Sequence, residues 1–312
     1  MINKVQPEPA IEVEQRPKNA PISRELLRKV KLLELNTRLQ VHDVFSGRYH
    51  SVFKGQGMDF AEVREYTPGD DIRAIDWNVS ARMGHPFVKI YREERELNVM
   101  LLVDVSGSTE FGTATAKKRE VAAELTALLA LCALNNNDKV GLILFSDKIE
   151  HFVAPKKGRR HVLRLIRDVL AFEATSKGTS VGGAVEYALH ALKKRSVLFL
   201  VSDFEGDNWS KRIRIAGRKH DLIAMELYDP RERQIPSAGL VRLLDPETGE
   251  DYWVDTSSEE LRKAFARETN LKALERSQFF KSNRIDRIEL PVDKPYFLPL
   301  IKFFRTRESR RG

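Results

Sequence analysis

Residues 97–103 read Leu-Asn-Val-Met-Leu-Leu-Val, apolar at successive rather than alternate positions. Side chains of a strand point to its two faces in turn, so such a run needs apolar cover on both sides. It predicts a central strand, because an edge strand or a half-solvated sheet would show polar residues at every second position. This run and the apolar stretch at 125–134 are each well short of the roughly 18 residues that span a bilayer, and no transmembrane helix is expected.

The rest of the chain supplies the cover. A helical apolar stripe runs over 116–134, with Val121, Leu125, Leu128, Leu129 and Cys132 on it. A strand follows at 139–145, and a Ser146-Asp147-Lys148 turn leads into a short strand at 149–153, a hairpin that suggests a sheet edge. Helices are expected at 159–171 and 181–194, a strand at 196–201, a helix near 210–218 and a strand at 221–227. Strands and helices alternating at these lengths fold as right-handed crossovers with helices on both faces of a mostly parallel sheet. The expected fold class is therefore α/β, a Rossmann-like three-layer domain. Beyond 227 come a strand at 251–254, a helix at 258–280 and a C-terminal basic segment.

Ahead of the central strand the texture differs. Residues 1–20 hold few large apolar groups and several prolines and charges, so they read as a disordered tail. Leu26, Leu27, Val30, Leu33 and Leu39 predict a helix over 22–40, and the glycine-punctuated stretch 41–93 predicts short strands and tight turns. The expected division is a tail (1–20), a small mixed N-terminal module (21–93), the α/β domain (94–290) and a C-terminal helix with a basic tail (291–312).

Composition narrows the function classes. With 42% hydrophobic and 31% charged residues, the chain is of ordinary globular make-up. One cysteine, Cys132, excludes an internal disulfide framework and a multi-cysteine zinc site; within its apolar helical pattern it reads as a buried thiol rather than a nucleophile. The first residues lack the apolar stretch of a secretory signal, so a cytoplasmic location is expected. A formal charge of +8 permits nucleic acid, anionic lipid or an acidic protein as partner without selecting one. The basic runs 117–119, 156–160 and 193–195 and the C-terminal arginines read mostly as solvated faces, with no nucleic-acid module beside them. The seven histidines show no metal-ligand spacing.

Chemistry is expected where the strands end. Ligands of open parallel sheets collect outside the carboxyl ends of the strands, where loops present backbone N–H groups. Asp104-Val105-Ser106-Gly107-Ser108 directly follows the central strand and offers a carboxylate and two hydroxyls at alternate positions. Gly178-Thr179-Ser180, before a predicted helix, and Ser202-Asp203, after a predicted strand, should reach the same edge. All of these ligands are hard oxygens, which suits Mg²⁺ or Mn²⁺ rather than zinc or copper. A Ser/Asp-rich loop between strand and helix can also be a simple helix cap.

Residues 97–227 resemble a von Willebrand factor A domain. The metal-ion-dependent adhesion site of that family implies Asp104, Ser106, Ser108, Thr179 and Asp203 as the metal set, with a coordination position left for a partner's carboxylate. Ser180 stands where that family often has a further aspartate. The segment Arg64-Glu65-Tyr66-Thr67-Pro68-Gly69-Asp70-Asp71-Ile72-Arg73-Ala74-Ile75-Asp76-Trp77, with Ser80-Ala81-Arg82 after it, is similar to the signature of the bacterial family called domain of unknown function 58. That resemblance covers about residues 40–304 and implies association with a MoxR-type AAA+ ATPase.

From the residues themselves, Pro68-Gly69 favours a tight turn that brings Arg64, Asp70, Asp71, Arg73 and Asp76 close enough to pair and so to dock the leading module. Direct ligand contact by Asp70 and Asp71 stays open, and Tyr66 and Trp77 read as buried packing anchors.

The functional expectation is a non-enzymatic, metal-dependent protein-binding module, an adaptor or co-chaperone for an acidic-residue-bearing client. Any ATP dependence would come from another chain, since this one has no G-x-x-x-x-G-K-[ST]. The alternatives are a Mg²⁺-dependent hydrolase or phosphotransferase built on Asp104, and nucleic-acid or anionic-surface binding through the basic excess.

Overall fold

The computed structural model describes residues 49, 52–53, 58–93, 96–110, 112, 117–206, 208–244 and 250–310. The tail and the helix expected over 22–40 lie outside these. Its centre is a six-stranded sheet. β3 (Asn98–Asp104), β4 (Lys139–Phe145), β6 (Val197–Ser202), β7 (Asp221–Tyr228) and β10 (Asp286–Pro291) run parallel, and β5 (Ile149–Lys156) pairs antiparallel with β4 at the edge, in the order β10-β7-β6-β3-β4-β5.

β3 behaves as its sequence requires. Val99, Leu101 and Val103 enter one apolar core while Met100 and Leu102 enter the other, on the opposite face. The first core packs under α2 (Lys118–Asn135), α3 (Arg159–Ala171) and α8 (Phe297–Ser309), the second under α4 (Val181–Ala191) and α5 (Ser210–Lys219). Burial on both faces makes this the three-layer α/β arrangement expected from the sequence. Cys132 sits in the first core, where burial pushes its thiol up to about 12 and holds it protonated and inert.

β10 was not foreseen. Its sequence alternates charged and apolar residues and buries only Ile288 and Leu290 among six, so it lacks the continuous run that betrays an interior strand. The strand is nonetheless held in register along residues 223–228 of β7. α8 then folds back so that Leu300 and Phe304 join the first core, and Phe304 meets Phe53 edge-on at 5.9 Å. Arg307, one of the C-terminal arginines expected in solvent, is instead buried against Asp221 and Asp286. The ends of β7 and β10 present those two carboxylates, and the helix turn brings Arg307 to them.

The leading module is a hairpin of β1 (Met58–Glu65) and β2 (Phe87–Glu93) with α1 (Trp77–Met83) between them. Tyr49, Val52 and Phe53, just ahead of it, are buried in the first core. Of the charges expected to pair in the turn, Arg64 and Asp70 do so in two parallel contacts of 2.8 and 2.6 Å. That guanidinium, with the Thr67 N–H, holds the Asp70 carboxyl down at about 2. Asp71 and Asp76 cap helical turns instead, accepting from the N–H groups of Arg73 and of Asn78 and Val79. Trp77 does not anchor packing: it is 68% exposed, and Tyr66 is half-buried. A two-stranded hairpin has too little apolar surface to enclose an indole.

After β7 come α6 (Pro230–Arg233), the hairpin β8 (Leu240–Leu244) with β9 (Asp251–Asp255), and the long α7 (Glu259–Ser282), of which only Phe280 is fully buried. Among the described residues no helix is long and apolar enough to cross a membrane.

Candidate functional site

The order of strands fixes where a site can form. From β3 the chain moves to β4 and β5 on one side, then returns past β3 to β6, β7 and β10 on the other. Connections therefore diverge above the carboxyl ends of β3 and β6, leaving a crevice there. Asp104 ends β3 and Asp203 follows β6, so both carboxylates stand at its mouth.

The first segment is held by its own backbone. Asp104 Oδ1 accepts from the Ser106 N–H at 3.0 Å, and its Oδ2 accepts from Ser202 Oγ at 2.7 Å, across the β3–β6 pair. The Ser106 and Ser108 hydroxyls lie 3.1 Å apart. Gly107 N–H donates to the Lys177 carbonyl at 2.8 Å, which draws the 172–180 segment to the rim. A side chain placed on Gly206 would come 3.8 Å from the Thr179 carbonyl, so the backbone of Thr179 lies beside the loop that carries Asp203. Ser180 caps α4 by accepting from Gly183 N–H and makes no outer carboxylate.

The second carboxylate sits on a strained turn. Phe204 has φ of 56°, a conformation that costs a non-glycine residue about 1–2 kcal/mol. Its ring is buried against Trp209 and Phe280, which offsets that cost and fixes Asp203. Asp203 Oδ1 accepts from Glu205 N–H at 3.1 Å. Its Oδ2 accepts from Lys118 Nζ at 3.1 Å, and the same ammonium lies 2.5 Å from Glu232 on α6.

Lys118 was expected on a solvated face, and the structure buries it at 1% exposure. The sequence did carry a signal: a cation in the first turn of a helix opposes the helix dipole and calls for carboxylates nearby. Glu232 was likewise absent from the expected set and lies within no recognisable motif, whereas Ser202 was expected at this edge and is found there, donating to Asp104.

The electrostatics follow from burial. Burial first, and the nearby Asp203 second, push the Asp104 carboxyl well above the usual range, to about 7. Burial would raise Asp203 as well, but the Lys118 ammonium and the Ser108 hydroxyl hold it below its ordinary value. Asp203 thus shares its ammonium with Glu232, while Asp104 is held by Ser106 N–H and Ser202 Oγ without a cation of its own. A divalent cation fits this set: hydroxyls and carboxylates converge, and the acids carry more charge than Lys118 offsets. Asp104, Ser106, Ser108 and Asp203 are brought together by these contacts and Thr179 by its backbone. Among the described residues no group of three or more His, Cys, Asp or Glu side chains forms a metal cluster, so hydroxyls must supply part of any coordination shell.

Among solved structures, the chain is similar to an aerotolerance-related membrane protein from Bacteroides fragilis, at 16% identity and a TM-score of 0.47 over 69% of this chain and 99% of that one. It is similar also to the SpRpn10 VWA domain, at 13% identity and a TM-score of 0.38 over 66% and 94% of the two chains. An uncharacterized protein of Mycobacterium tuberculosis is 29% identical over 290 residues, 91% of this chain and 89% of that protein. The family model described as protein of unknown function DUF58 matches residues 62–274, more than half of the chain, and the chain belongs to that family.

Proposed function

We propose that the chain is a non-enzymatic protein-binding module whose rim holds Mg²⁺ or Mn²⁺ through Asp104, Ser106, Ser108, Thr179 and Asp203. A coordination position is left for a carboxylate of the client, and a MoxR-type AAA+ ATPase in the cytoplasm supplies the work. The observation that carries the metal reading is the convergence of two buried carboxylates and the serine hydroxyls at the crevice between β3 and β6. The family signature at 64–77 supports the ATPase partnership. The test is affinity capture from the native cell with Mg²⁺ or with chelator, using wild type and the double variant Asp104→Ala/Asp203→Ala. A client and an ATPase retained only by wild type in Mg²⁺ support the reading; identical captures from all arms refute it.

One observation favours a second reading, a Mg²⁺-dependent phosphotransferase or hydrolase with Asp104 as nucleophile. Lys118 adds a buried cation where phosphoryl oxygens would gather charge. Against it, both Asp104 oxygens are engaged, by Ser106 N–H and Ser202 Oγ. Phosphate-ester turnover that vanishes in Asp104→Asn would establish it.

A further inference from the structure

Lys118 is the rim residue that the metal motif leaves unexplained. Its Nζ lies between Asp203 Oδ2 at 3.1 Å and Glu232 Oε1 at 2.5 Å. Buried and flanked by these two carboxylates, it stays an ammonium. A buried ammonium has no solvent to retreat to. It must keep a carboxylate partner whatever else enters the crevice.

An ammonium on a carboxylate oxygen does part of what a divalent ion would do there: it neutralises charge and occupies a lone pair. Glu232 is the fixed partner of the two. It closes a capping box on α6, where its Oε2 accepts from Asp229 N–H at 2.9 Å, and the adjacent Arg233 is tied to Glu226 and Glu289. Asp203 is the shared one.

We propose that Lys118 is a built-in cation that competes with the divalent ion for Asp203, and that Glu232 tunes this competition by holding the ammonium from the other side. The proposal rests on the metal-binding reading above. It makes Lys118 and Glu232 determinants of metal affinity, though neither is a ligand. Removing the ammonium then tightens the ion, because an uncompensated carboxylate is left for it. Removing the Glu232 charge weakens the ion, because the ammonium falls to Asp203 alone.

The experiment is calorimetric titration of MnCl₂ into the full chain as wild type, Lys118→Met and Glu232→Gln, with melting curves in chelator and in Mn²⁺. Glutamine keeps the capping acceptor, so the second variant tests charge without unmaking the helix start. Lys118→Met is expected to bind Mn²⁺ about tenfold more tightly and Glu232→Gln about tenfold more weakly. In chelator Lys118→Met melts below wild type, and Mn²⁺ raises its melting temperature by more than it raises that of wild type. Affinities of both variants within about threefold of wild type, or weaker binding by Lys118→Met, overturn the proposal while leaving the metal reading intact. No Mn²⁺ binding by wild type sinks both. Should Lys118→Met fail to fold, Glu232→Gln decides alone: a weaker Kd supports the proposal and an unchanged one refutes it.

Discussion

Glu226 on β7 is fully buried and is the only acid that three arginines from three different elements share within the described residues. Arg287 of β10 donates to it at 2.6 Å, Arg276 of α7 lies at 3.3 Å and Arg233 of α6 at 3.4 Å. Breaking a buried ion pair by removing one partner costs about 3–5 kcal/mol, because the remaining charges stay desolvated. Here the lower end applies to Glu226→Gln. Arg233 and Arg287 keep Glu289 at 3.0 Å, and Arg276 keeps Glu205 at 2.8 Å. A loss of about 3 kcal/mol, at about 2 °C per kcal/mol for a chain of this size, lowers Tm by about 6 °C. Urea unfolding followed by circular dichroism measures it, with Asp251→Asn at the exposed Arg242 pair as a control expected to cost under about 1 kcal/mol. If Glu226→Gln unfolds within about 1 kcal/mol of wild type, the arginines do not depend on this carboxylate and the reasoning about their burial fails.

His220 gives a pH dependence. Burial, ahead of the charges of Lys219 and Arg195, pulls its imidazole down to about 4, while its Nδ1 accepts from Ser196 N–H at 3.2 Å. The unfolded chain takes up a proton near pH 6.5 that the folded chain refuses, so stability is complete above about pH 6.5 and drains as pH falls to about 4. The loss is on the order of 2 kcal/mol after allowance for solvent screening, and His220→Asn should flatten that window in urea titrations. Gly141→Ala should cost about 1–3 kcal/mol by thermal melting. Its methyl would come 2.8 Å from Met100 Cε and 2.9 Å from the Val153 carbonyl oxygen, which belongs to the paired strand and cannot swing away. Trp77→Ala should stay within about 0.5 kcal/mol of wild type, since the indole is 68% exposed, and Trp77 should be open to acrylamide quenching.

The sheet was legible where its strands are apolar on both faces. β3, β4 and β6 are continuous apolar runs, β7 is one broken by Glu226, and the helix expected at 159–171 is found at Arg159–Ala171. β10 was not legible, because a peripheral strand with two buried residues resembles a loop. The site divides the same way. Asp104 and Asp203 could be placed, since each follows a strand whose direction was readable and the return of the chain past β3 brings those two ends together. Lys118 was missed: its place in the first turn of a helix hints at carboxylates nearby, but those partners, Asp203 and Glu232, come from segments 85 and more residues away and could not be named from the run of basic residues. Trp77 failed for the converse reason: ring size favours burial only where a core exists to receive it.

The proposed function stands on a divalent ion held at the rim between β3 and β6. Crystals soaked in MnCl₂ and measured at a wavelength where manganese scatters anomalously test it directly. One strong anomalous peak is expected, bounded by the hydroxyls of Ser106, Ser108 and Thr179, with Asp104 and Asp203 around it. A soaked crystal with no peak at that rim, or with manganese only elsewhere on the molecule, would contradict it.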